Sequence, residues 1–243
     1  MSAQVVRKYS RVMTTDRKLK DEFEQYGRVW LRDAVSDADL KLLDQATADN
    51  TKAGQRLGSS SALDTVLSKN SSLLTSIQRL DPMAVPVRTV AFNKSEGANW
   101  GVPWHQDRVI AVNDKVEIEG YHNWTKKSGT WHCEPPEAIL DSMLFVRVHL
   151  DESSESNGAM EISVGSHIGG IVPSAKAEET ANAYPIEVCN AKRGDVLILK
   201  MLTLHRSKPA TVQSGRRVLR IDLSSLALPP PMFWHAEKTE TRL

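Results

Sequence analysis

From residue 85 onward the chain is a succession of short β-type runs, separated by Gly, Asn, Ser and Pro and lacking a helix after every strand. Parallel α/β sheets need a crossover of a dozen or more residues, usually helical, between strands, so this rhythm excludes them. The runs cover residues 85–93, 102–112, 143–150, 159–164, 186–189, 195–200 and 217–225. Upstream the pattern is helical. Residues 19–26 read as a helix stopped by Gly27, and Val29, Trp30 and Leu31 as a short strand. Ser36 caps a second helix, with Asp39 three residues on and an apolar stripe of Leu40, Leu42, Leu43 and Ala46 that reaches about residue 50. A Gly/Ser-rich loop follows at 54–61, then short helices at 62–68 and 71–80, closed by Asp81-Pro82. The expectation is one α+β domain over residues 1–243: a mainly helical part, 1–84, and a sandwich or jelly-roll core, 85–228.

Composition narrows the partners. Thirty-one Lys and Arg against 30 Asp and Glu leave a formal charge of +1, so nothing draws the whole molecule to nucleic acid or to an anionic membrane. A small-molecule partner is expected. Cys133 and Cys189 are too few for a disulfide scaffold and lack zinc-site spacing. Residues 1–16 hold no apolar stretch, and no run approaches the roughly 20 apolar residues of a membrane span, which predicts a cytoplasmic protein.

The chemistry begins at Pro103-Trp104-His105-Gln106-Asp107. Residues two apart on a strand project to one face, so an imidazole and a carboxylate point together. That is half of the two-His, one-carboxylate facial triad that holds non-haem Fe(II) while leaving open positions. His205, just after the apolar run at 196–199, is the candidate third ligand. Eleven residues later stands Arg216, whose guanidinium can grip a carboxylate in a two-pronged fork. A metal beside such an arginine suggests a chelating 2-oxo acid. Arg217 is the alternative clamp, since alternation along a strand turns only one of the pair inward.

These stretches resemble the phytanoyl-CoA dioxygenase-like family of Fe(II)/2-oxoglutarate oxygenases. The matching segments are Phe92-Asn93-Lys94, Val102 to Asp107, Leu150-Asp151-Glu152, Asn157-Gly158-Ala159, Val164 to His167, Lys192 to Asp195, and His205-Arg206-Ser207 with Arg216. The resemblance spans nearly the whole chain and implies a double-stranded β-helix, a jelly-roll or cupin-like core with N-terminal helices packed against it. It also implies Fe(II) on His105, Asp107 and His205, 2-oxoglutarate on Arg216 and Ser207, O2 as second cosubstrate, and oxidation of a small molecule with release of succinate and CO2. A hydroxylation is expected, with desaturation or ring closure as alternative outcomes. Two other functions fit the same fold: a binding protein without turnover, and a cupin-like metalloenzyme that uses no keto acid. A chain that needs neither metal nor keto acid has no physical need for His105, Asp107, His205 and Arg216 together.

Other residues admit two readings each. Val90 and Phe92 share a strand face and either line the cosubstrate pocket or pack the core. Arg88 shares that face, while Arg147 lies mid-strand; each is a substrate-recognition candidate or an ordinary ion pair, with a solvated outward face the natural placement for Arg147. His149 is expected in a hydrogen-bonded core position or supporting a metal ligand from behind, rather than ligating itself, and His167 outside the metal sphere. The long connection 113–141, with Trp131 and His132, is expected to be a loop that closes over substrate or packs on the outside.

Overall fold

The computed structural model describes residues 3–49, 53–95, 97, 99–212 and 215–235. In chain order the elements are α1 (Ala3–Tyr26), β1 (Arg28–Leu31), α2 (Asp37–Ala46), β2 (Gly54–Arg56), α3 (Ser61–Val66), α4 (Ser72–Ile77), β3 (Val85–Lys94), β4 (Val102–His105), β5 (Ile110–Val112), β6 (His122–Lys127), β7 (Thr130–Glu134), α5 (Glu137–Asp141), β8 (Leu144–His149), β9 (Met160–Ser163), α6 (Ala177–Asn182), β10 (Ile186–Val188), β11 (Val196–Lys200), β12 (His205–Ser207) and β13 (Arg216–Ser224). Six strands form a major sheet in the order β1-β11-β8-β13-β3-β2, and four form a minor sheet in the order β10-β9-β12-β4, every pair antiparallel. This is a jelly-roll core. Among the described residues no helix is long and apolar enough to cross a membrane.

Strand alternation divides the major sheet into two chemically different faces. Val146, Val148, Ile198, Leu219 and Ile221 point outward into a core completed by Leu40 and Leu43 of α2, Leu63 of α3 and Leu74 of α4. Those helices start where the sequence offers caps: the hydroxyls of Ser36, Ser60 and Ser71 accept from the amides of Asp39, Leu63 and Leu74, satisfying donors that a helix leaves orphaned. The opposite face turns Phe145, Leu197 and Leu199 toward Met160 and Ile162 of the minor sheet. Between the sheets this second core also leaves room for a row of charged side chains.

Four features differ from the sequence expectations. The first helix begins at Ala3 rather than near residue 19. The second ends at Ala46, short of residue 50, which lies outside the described residues. The stretch expected as a Gly/Ser-rich loop contributes the edge strand β2; a Cβ on Gly54 would lie 3.1 Å from the Phe92 ring, a tight contact that glycine avoids where β2 approaches β3. The largest correction concerns residues 113–141. After an irregular stretch at 113–121 they fold: β6 and β7 form a hairpin, the preceding β5 completes a three-stranded sheet with it, and α5 follows. Ser128 (φ 48) and Gly129 (φ 80) make the two-residue turn of that hairpin, whose positive φ values match the twist of the flanking strands.

His149 occupies the expected buried position, 1% exposed, where it bonds the Asp195 carbonyl (3.1 Å) and stacks on Trp30. Burial, and then the charge of Arg147, pushes its pKa down to about 3. Below pH 6.5 the unfolded chain therefore binds a proton that the folded protein refuses. Stability is expected to fall as the pH drops from about 6.5 toward 3, with a slope approaching about 1.4 kcal/mol per unit from this group. Urea midpoints across that range, compared with His149→Gln, check it: the variant's curve should be flatter.

Candidate metal and anion site

The two histidines come together through strand register. His205 on β12 lies directly opposite His105 at the end of β4, and their ring centroids are 4.2 Å apart. Asp107 follows beyond the end of β4 and reaches back between them, 3.3 Å from His205 Nε2 and 3.9 Å from His105 Nε2. One candidate ligand atom from each residue falls within 4.8 Å of the others, the spacing of a single metal ion. Both imidazoles are held the same way: Nδ1 of His105 donates to the Pro103 carbonyl (2.8 Å) and Nδ1 of His205 to the Thr203 carbonyl (2.9 Å). That tautomer directs the Nε2 lone pairs at the common point. The donor set and its geometry fit a divalent transition metal with open positions.

Neighbouring side chains fix this arrangement. Gln106 is anchored three times, donating to the carbonyls of Gly170 (2.8 Å) and Leu202 (2.7 Å) and accepting from the Val172 amide (2.8 Å). Its immobility sets the directions of the residues on either side. Phe145 packs edge-on against the His205 ring at 5.3 Å. Asp107 accepts a hydrogen bond from Arg220, which also bonds Asp222 (2.6 Å), and Asp222 in turn accepts from Arg88 (2.6 Å). Burial alone would raise the Asp107 pKa, but Arg220 and then His205 hold it well below the usual carboxylate range. It is ionised and ready to ligate. Neither Gln106 nor Arg220 stood out in the sequence, although Arg220 shares strand parity with Arg216.

Parity separates the two clamp candidates. Arg217 points outward, where Asp151 grips it in a two-pronged fork (2.9 and 2.8 Å) and Asp44 adds a contact at 2.9 Å. Arg216 points inward, 4% exposed, and among the described residues no acceptor reaches its Nε. Burial pushes its pKa down to about 10. Beside it stands Lys94, its partner across β3 and β13, whose ammonium bonds Ser207 Oγ (3.2 Å) and the Lys208 carbonyl (2.6 Å). Ser207 donates to the Gly158 carbonyl at 3.2 Å. The sequence reading quoted Lys94 only as part of a matching segment, yet the structure buries it in this pocket.

The remaining candidates divide. Val90 and Phe92 are half-buried on the pocket face of β3. Arg88, on that face too, is committed to Asp222 and the Val109 carbonyl. Arg147 contradicts the expected solvated placement: β8 lies between β11 and β13 and is buried on both faces, so its arginine turns into the pocket. His132 is buried against Arg56, and burial followed by the charges of Arg56 and Arg88 lowers its pKa to about 4. Trp131 packs edge-on to Trp124 at 6.5 Å, under Lys126, rather than against the triad. His167 lies outside the triad, bonded to the Glu24 carbonyl at 3.0 Å.

The family model of phytanoyl-CoA dioxygenase matches residues 23–218. The chain belongs to the phytanoyl-CoA dioxygenase family. No curated protein matches it in sequence. Solved structures share the fold at low identity. The non-heme α-ketoglutarate-dependent epimerase SnoN from nogalamycin biosynthesis is 13% identical, with 87% of this chain and 81% of SnoN covered at a TM-score of 0.63. EctD from S. alaskensis, solved with 2-oxoglutarate and 5-hydroxyectoine, is 16% identical, with 85% and 75% covered at 0.62. HygX from Streptomyces hygroscopicus with iron bound is 13% identical, with 86% of each chain covered at 0.58. In this member of the family the His-x-Asp pair and the distal histidine converge, and the buried arginine of β13 faces the same space.

Proposed function

We propose that this chain is a non-haem Fe(II)- and 2-oxoglutarate-dependent oxygenase that hydroxylates, or otherwise oxidises, an unactivated C–H bond of a small molecule. The observation that carries the reading is the pairing of an open His105–Asp107–His205 triad with Arg216, a buried guanidinium whose Nε has no acceptor among the described residues. Bound Fe(II) would activate O2, the oxidant, with 2-oxoglutarate giving up two electrons on its way to succinate and CO2 and the substrate the other two. The protein's part is placement. His105 and His205 present Nε2, Arg220 keeps Asp107 ionised, and Arg216 with Ser207 receives the far carboxylate of the keto acid. Val90 and Phe92 wall the intervening space, where burial strengthens each ionic contact. SnoN, which is α-ketoglutarate-dependent, and EctD, solved with 2-oxoglutarate, support this assignment.

Anaerobic calorimetry of 2-oxoglutarate added to Fe(II)-loaded protein tests the reading. Metal-dependent binding, then substrate-stimulated succinate formation once O2 is admitted, is expected. A chain that binds iron but not the keto acid would instead be a metalloprotein of another kind. The β6–β7 hairpin is assigned to covering the mouth of the pocket, through the contact of His132 with Arg56. Trp131→Ala, which removes the edge-on contact between the two tryptophans of that hairpin, is expected to leave iron and 2-oxoglutarate affinity intact but uncouple the reaction. Succinate measured against oxidised product checks this, and unchanged coupling would remove the hairpin from the mechanism.

A further inference from the structure

The face of the major sheet that looks onto the triad carries more positive charge than the proposed reaction uses. Arg88, Asp222, Arg220 and Asp107 form a chain of alternating sign that closes on itself electrically. Arg56, Lys94, Arg147 and Arg216 remain, and among the described residues none of them has a carboxylate at ion-pair distance. The Nε atoms of Arg56, Arg147 and Arg216 are buried with no acceptor among the described residues. Loading the site does not correct the imbalance. A divalent metal brings two positive charges and 2-oxoglutarate two negative ones, so the sum is unchanged. Uncompensated charge inside a protein is costly unless a partner arrives to neutralise it.

Arg147 is where this excess has least relief. It is 8% exposed, its neighbours on the same strand face are Phe145 and His149, its guanidinium carbon lies 5.9 Å from the Phe145 ring, and among the described residues its Nε finds no acceptor. The residue facing it across the strand pair is another arginine, Arg220. Burial, and then repulsion from Arg216, lowers its pKa to about 9, so it still carries its charge at neutral pH. Nothing in the fold requires an arginine here; a methionine or leucine would fill the same space at lower cost. We infer that Arg147 is an anion-binding residue for the substrate that is oxidised, and that this substrate is a small organic acid bearing a carboxylate or phosphate. The inference rests on the 2-oxoglutarate reading, because it assigns Arg216 to the keto acid and leaves Arg147 for the second anion.

The test uses the full chain loaded anaerobically with Fe(II) and saturating 2-oxoglutarate, with butyrate and inorganic phosphate as probes for the two anion types. At least one probe is expected to bind the loaded wild type. Arg147→Met should weaken that binding tenfold or more while leaving 2-oxoglutarate affinity within a few-fold, and Arg147→Lys should retain part of it. Thermal unfolding of the unliganded proteins supplies an independent readout, since removing an unpaired buried charge should raise the Tm of Arg147→Met, whereas a structural arginine would lower it. The inference is overturned if no probe binds the loaded wild type. It is equally overturned if Arg147→Met loses 2-oxoglutarate as severely as Arg216→Gln does, which makes Arg147 a second clamp on the keto acid. Failure of 2-oxoglutarate to bind the wild type would overturn the underlying function instead.

Discussion

Replacing His205 by Ala should lower Fe(II) affinity by about a hundredfold or more, because two protein ligands remain and the chelate loses one of its three anchors. The domain should stay folded. His205 is a short-strand residue whose ring contacts Phe145, His105 and Asp107; Asp107 keeps Arg220 when the ring is removed, so a small void and the Thr203 carbonyl are left rather than an unpaired charge. The void should cost no more than about 1–3 kcal/mol, well inside the stability of a domain of this size. Anaerobic equilibrium dialysis against Fe(II), with circular dichroism on the same samples, separates the two effects. His167→Ala is the matched comparison: its imidazole bonds the Glu24 carbonyl, away from the triad, and iron stoichiometry should be unaffected. Full iron occupancy in His205→Ala, or its loss in His167→Ala, would falsify the ligand set.

The triad was legible because its information is local. His105 and Asp107 are two residues apart and His205 closes a strong apolar run, which with the family resemblance pointed to a shared site even though Asp107 lies beyond the end of β4. The jelly roll was legible for a similar reason, since short runs with turn residues between them leave antiparallel pairing as the available architecture. What escaped depends on neighbours that a single sequence does not reveal. Leu144-Phe145-Val146-Arg147-Val148-His149 lacks polar alternation, and an arginine in such a run reads as solvated unless the strand is known to lie in mid-sheet with both faces covered. The role of Gln106 depends on the carbonyls of Gly170 and Leu202, distant in sequence. The hairpin inside 113–141 did leave a signal, the Ser128-Gly129 pair between Lys127 and Thr130, but the surrounding aromatics and prolines made the segment read as irregular.

The neighbouring pair Arg216 and Arg217 offers the sharpest separation of binding from stability. Arg216→Gln should weaken 2-oxoglutarate binding by about 1.5–3 kcal/mol, roughly ten- to a hundredfold, which is the scale of a charge-assisted contact to a carboxylate. Among the described residues it breaks no ion pair of the buried guanidinium, so the unliganded variant should be as stable as the wild type or more so. Arg217→Gln should do the reverse. It removes the fork to Asp151 and the contact to Asp44 on the outer face of the sheet, a partly exposed network whose loss is limited to about 1 kcal/mol by solvent and salt. Keto-acid affinity should not move, because the side chain points to the opposite side of β13 from the triad. Anaerobic titration and urea unfolding of the two variants test both halves, with salt as a control: added salt should shrink the Arg217 stability difference far more than the Arg216 binding difference. A result in which Arg217→Gln loses 2-oxoglutarate and Arg216→Gln does not would transfer the clamp to the outer face and break its link to the metal centre. If both lose it equally, binding is being read through damage to β13, and neither arginine is the clamp.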